Sequence, residues 1–205
     1  MTIHPTHIDF QASLQSITKT NMVTIATHVL ALASLPLTYF GVLGLTQRLG
    51  WHNRYAFGAL IVFSMASIAV MFAAIADGLI GPALVYRIAT AEDPSRQMLM
   101  TALLLNFETN QALAKVYVVA SSVAYIGWSI ALRQARGGAH FLDLFGLATG
   151  LGTIAAIMSG HVQMSAHGFG IIVLFQAVWL LLIAKFMFTV GPAKLGNGPV
   201  HVTAT

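Results

Sequence analysis

The chain has 205 residues, 57% of them hydrophobic and 8% charged, with a mean hydropathy of +0.79, which excludes an ordinary water-facing domain and makes the bilayer the solvent for much of the surface. The absence of cysteine excludes disulfides, thiolate metal sites and iron–sulfur clusters, leaving His, Asp, Glu and Met as metal ligands. The Lys and Arg residues behind the pI of about 9.7 lie singly at the ends of apolar runs, the pattern of membrane flanks and not of a nucleic-acid surface.

Residues 1–21, with His4, His7, Asp9 and Lys19, read as a polar N-terminal tail that lacks the basic start and short apolar core of a signal peptide. The first apolar run, 22–46, exceeds the roughly 20 residues that cross a hydrocarbon core of about 30 Å. It carries His28 in its second turn and Pro36 at its middle, where a kink is expected. Arg48, Trp51, His52 and Arg54 form a turn suited to a headgroup boundary, and a second span runs over 55–76.

Asp77-Gly78 and Gly81-Pro82 then interrupt the apolar pattern, and 77–112 reads as a loop with a short helical or re-entrant piece. Within it, Asp93-Pro94 is a helix start, and no Gly or Pro follows before Gly127, so one helix is expected over 94–133. At about 1.5 Å per residue such a helix is about 60 Å long. Its first half is therefore expected to be an amphipathic outer segment, with Gln97, Thr101, Glu108, Gln111 and Lys115 near one face, and its second half, 113–132, to be the third span.

After a turn at 133–140, the fourth span is 141–160, where Gly146-x-x-x-Gly150, followed by Gly152, offers a small-residue face to another helix of the chain or to a second copy. A polar hinge with His161 and His167 leads to the fifth span, 169–189, with Lys185 able to snorkel from its last turns. The Gly- and Pro-rich stretch 190–205 is expected to be disordered. The fold class that follows is all-α, a polytopic transmembrane bundle of about five spans in a single domain over 22–189.

With the N-terminus outside and the C-terminus cytoplasmic, six basic residues (Arg48, Arg54, Arg133, Arg136, Lys185, Lys194) fall inside and four (Lys19, Arg87, Arg96, Lys115) outside. This topology gathers His4, His7, His28, Asp77, Glu108, His161 and His167 at the outer boundary. A layer of imidazoles and carboxylates there is what a metal ion, a haem or a proton-handling site requires. The candidate cofactor ligands are His28, His161 and His167, and the candidate metal donors are His161, His167, Asp77 and Glu108. Plainer roles stand beside these. His161 and His167 suit a surface turn as polar residues, His28 can bond the Leu32 carbonyl that Pro36 frees, and Asp77 can end the second span. Two helical turns, about 10.5 Å, separate Glu108 from Lys115.

The stretch SGHVQMSAHGFGIIVLFQAVWLL, 159–181, together with NFETNQALAKVYVVASSVAYIGWSIALR, resembles small multi-pass membrane proteins of bacteria in families labelled as domains of unknown function. The resemblance implies a bacterial inner-membrane setting and carries no activity or site residue. His-Glu-x-x-His, Gly-x-Ser-x-Gly and P-loop motifs are absent from the sequence. A non-catalytic binding or assembly component, meeting a homodimer or membrane partner through Gly146 and Gly150, asks least of these residues. A His-centred metal or haem protein and a dimeric small-molecule or ion transporter are the alternatives.

Overall fold

A backbone in hydrocarbon must satisfy its own polar groups, and for apolar runs of this length the helix is the local answer. The computed structural model describes residues 7–135, 140–159 and 166–189 and, of these, the side chains of 22, 23, 25–135, 140–159 and 168–189. The elements among the described residues are helical, with no strand: α1 (His7–Leu49), α2 (Arg54–Ile75), a π-turn (Ala76–Ile80), α3 (Gly81–Thr90), α4 (Ser95–Gln134), α5 (His140–Met158) and α6 (Ala166–Thr189). Five helical stretches are long and apolar enough to cross a membrane: Ile25–Leu49, Arg54–Thr90, Ser95–Gln134, His140–Met158 and Gly168–Thr189. The chain is thus a multi-pass membrane protein of helical-bundle type.

Two stretches differ from expectation. α1 begins at His7, so most of the expected tail is helical, because no glycine or proline stands between Pro5 and Pro36 to stop the helix. Pro36 itself is carried within α1 without ending it. The loop expected over 77–112 is instead divided between the second and third spans. Asp77-Gly78 and Gly81-Pro82 fall in or beside the π-turn, whose wider ring closes with the Gly81 N–H donating to the Ala76 carbonyl five residues back. Pro82, with no N–H to donate, follows in the first turn of α3, where that donor is not needed. The expected start at Asp93-Pro94 is met within a residue, α4 opening at Ser95 and running unbroken to Gln134. Its first half exposes Met98, Leu104, Leu105 and Phe107 beside Glu108, so apolar side chains interrupt the polar stripe expected there.

The chain groups into two compact units, Met1–Pro36 with Ala69–Ala114 and Leu37–Ile68 with Lys115–Thr205, their boundaries falling inside α1, α2 and α4. In the first unit Val85 and Ile88 of α3 are buried with Leu103 of α4, flanked by Leu84, Leu99 and Met100. The second unit is built around aromatic residues. Trp128 and Trp179 are fully buried with ring centroids 6.3 Å apart, and Tyr125 meets Trp179 edge-on at 4.7 Å. Both indole N–H groups are satisfied: that of Trp128 donates to Thr46 Oγ1 (3.0 Å) and that of Trp179 to the Leu142 carbonyl (3.0 Å). Gln176 accepts from the Tyr117 hydroxyl and donates to Ser121 Oγ.

Small residues let these helices approach. A methyl at Gly127 would come 2.9 Å from Ala59 Cβ of α2, one at Gly150 2.7 Å from the Ser122 carbonyl of α4, and one at Gly146 would overlap Ser129 Oγ and Trp179 Nε1. The Gly146–Gly150 face is therefore filled by α4 and α6 of the same chain, the first of the two partners expected for it. Gly152, with nothing within 4 Å, lies off that face. Between α1 and α2 the turn depends on Gly50 at φ 94° and on Asn53, whose Oδ1 accepts the N–H groups of Tyr55 (3.0 Å) and Ala56 (3.2 Å) and so caps α2.

Candidate functional site at the π-turn

In the first unit, the described side chains of α1 up to Pro36 are exposed except at Ile25, His28, Leu32 and Leu35, whose spacing of three, four and three residues is one helical face. His28 lies on that face, six turns into α1 instead of near its start. Its Nε2 stands 3.0 Å from Oδ2 of Asp77, the second residue of the π-turn. The approach needs Gly78, since a Cβ there would overlap Cβ and Cγ of His28. Asp77-Gly78 thus supplies a carboxylate for the imidazole and the space in which the imidazole fits. The pair is a charge-assisted bond when His28 is doubly protonated. At 22% and 53% side-chain exposure, neither group is cut off from its surroundings.

The other fixed point of the turn is Asn106 of α4, whose Nδ2 donates to the Ala76 carbonyl at 2.9 Å. The same oxygen receives the Gly81 N–H, so both of its lone pairs are used and the turn is held from α4 as well as from within. Beside it opens a hollow of about 490 Å³, walled by Phe72, Ile75, Ala76, Ile80 and Leu84 on one side and by Ala102, Leu105, Asn106, Thr109 and Leu113 on the other. Asn106 and Thr109 bring the polar side chains to a wall that is otherwise apolar and carries no charged residue.

Of the expected site residues, the structure brings together His28 and Asp77. Glu108 lies on the exposed side of α4, turned away from Leu103 and Asn106, and it is Asn106 that reaches the π-turn. His161 falls outside the described residues and His167 is described in its backbone alone, so the expected meeting of His28 with either lies outside the described residues. Among the described residues no three His, Asp or Glu side chains stand close enough to hold a metal ion.

Sequence reasoning missed Gly78, Asn106 and Asp143. The first two had a signal in the Asp-Gly pair and in the polar cluster 106–111, where the charge of Glu108 drew attention from the neighbouring amide. Asp143 is 2% exposed in the first turn of α5, and its Oδ1 has no hydrogen-bond partner. Ser122 Oγ and Ser129 Oγ, also buried, share that condition. No protein-family model, curated protein or solved structure matches the chain.

Proposed function

We propose that this protein is a non-catalytic binding component of a membrane, taking an uncharged, largely apolar ligand with a hydrogen-bonding group into the hollow beside the π-turn. The observation that carries this reading is the hollow itself, about 490 Å³ of apolar wall with Asn106 and Thr109 at its side. Its volume lies in the range of ligand sites, though Phe72, Ile80 and Leu105 of its lining are exposed and leave it open, and π-turns recur where a helix has been opened for function. Charge is absent from the lining, which disfavours an ionic ligand, since a buried ion needs a partner. Native mass spectrometry of protein released from mild detergent tests the proposal. The wild type should retain a small-molecule adduct, and Ala102→Phe, which places a ring in the hollow, should lose it without lowering the thermal midpoint. A wild type without an adduct, or one that Ala102→Phe leaves in place, would overturn the reading.

One observation favours a His-centred metal site as a second reading, namely the 3.0 Å contact between an imidazole and a carboxylate. Zinc there would draw both ligand atoms to about 2.0–2.2 Å and would bind more weakly in acid, as metal and proton compete for the imidazole. Zinc titration of the wild type and of His28→Ala tests it. Equal uptake by the two proteins ends this reading.

The setting proposed is a bacterial inner membrane with the N-terminus outside and the C-terminus cytoplasmic, supported by the distribution of basic residues. Reporter fusions at Thr20, Gly138 and Ala193 should read outside, inside and inside; a cytoplasmic Thr20 would overturn the orientation.

A further inference from the structure

In the second unit an apolar groove of about 560 Å³ runs between the C-terminal halves of α1 and α6. On α1 its wall follows one face, Leu37, Thr38, Gly41, Val42, Leu45 and Arg48, and the eleven steps from Leu37 to Arg48 correspond to about 16 Å. That is close to half of a hydrocarbon core of about 30 Å, the depth of one leaflet. The only charged side chain in the wall stands at its end: Arg48, in the last turn of α1 and at the limit of the span Ile25–Leu49. The Arg48 guanidinium donates to the Met187 carbonyl of α6, which holds it against the groove. The groove floor is open at Gly41, where a Cβ would meet nothing within 4 Å.

We propose that this groove seats one acyl chain of an anionic phospholipid, with the lipid phosphate at Arg48. Three observations fit that occupant: the groove is as deep as one leaflet, its wall is apolar over that depth, and its charge is a single cation placed where a headgroup lies. A guanidinium matches phosphate oxygens in charge and in hydrogen-bond geometry. A zwitterionic lipid offers the same chain but a less favourable head, and a free anion offers the charge without the chain. This site is distinct from the hollow beside the π-turn in its residues and in the charge of its ligand.

The experiment compares lipid retention by the full-length protein in mild detergent, using native mass spectrometry with phosphatidylglycerol and phosphatidylcholine of the same chain length. Phosphatidylglycerol should be retained more strongly, and Arg48→Gln should reduce that preference by about fivefold, the effect of one cation near a membrane surface. Gly41→Phe, which fills the floor and leaves Arg48 in place, should reduce retention of both lipids. If Arg48→Gln does not fold, Gly41→Phe and a salt titration of the wild-type preference carry the test. Equal retention of the two lipids, a preference indifferent to both substitutions, or full competition by inorganic phosphate would overturn the proposal. Loss of the neutral adduct in Ala102→Phe with phosphatidylglycerol binding intact would separate this site from the one beside the π-turn.

Discussion

At Gly78 two opposing effects can be weighed. Replacing a helical glycine by alanine gains about 0.5–1 kcal/mol of conformational free energy, whereas forcing a methyl into filled space costs about 1–3 kcal/mol. Because the added Cβ would overlap the body of His28 and not the tip of a flexible chain, the second effect wins. Gly78→Ala should therefore lower the thermal midpoint, and His28→Ala should restore part of the loss when the two are combined. At Asp143 the comparison runs the other way. A carboxylate in the first turn of a helix gains about 0.3–1 kcal/mol from the helix dipole, while a buried polar atom without a partner costs about 1–3 kcal/mol. Asp143→Ala should thus raise the midpoint in detergent; a fall would mean that this oxygen holds a ligand or a lipid-borne group. Neither residue could be weighed from sequence alone. Asp143 lies at the edge of an apolar run, where an acid is ordinarily wet, and only the packing of α5 shows it to be covered.

The elements divide into those that hydropathy announces and those that it conceals. α5 and α6 are bounded close to their apolar runs because lipid selects for length and apolarity, the quantities a sequence displays directly. The π-turn was not legible, since Gly, Pro and Asp are ordinarily helix breakers and only tertiary bonds convert a break into a widened turn. The His28–Asp77 contact was half visible, in residue types and in topology, but the partner brought by α4 was an amide and not the acid expected. The amide makes a testable claim about the turn. Asn106→Leu removes the Nδ2 donor to the Ala76 carbonyl and should cost about 1 kcal/mol. The loss should be read in hydrogen exchange as faster exchange of Ala76–Ile80 amides than of Arg54–Ile75 amides. Unchanged exchange across the π-turn would show that it stands without α4.

The two units differ in the means that hold them. Among the described residues the first has a buried cluster of Val85, Ile88 and Leu103, while the second has one of fourteen residues, among them Trp128, Trp179 and Tyr125. Cooperative opening follows buried contact, so amides around Trp128 should exchange more slowly than those of α3. Equal protection would mean that the units open together. Their division along the chain also bears on the order in which the protein can be made. The first unit contains no residue beyond Ala114, whereas both tryptophans that centre the second are still to be synthesised at that point. A nascent chain released only as far as Ala114 thus already contains α1, the π-turn, α3 and Asn106, and the His28–Asp77 contact can close before the aromatic centre exists. The absence of cysteine makes this directly observable: cysteines at 28 and 77 should be joined by a short bismaleimide on ribosome-held chains just long enough for Ala114 to have left the exit tunnel. By then the ribosome would have delivered one finished unit, leaving residues 37–68 to wait in lipid for the partners still being translated.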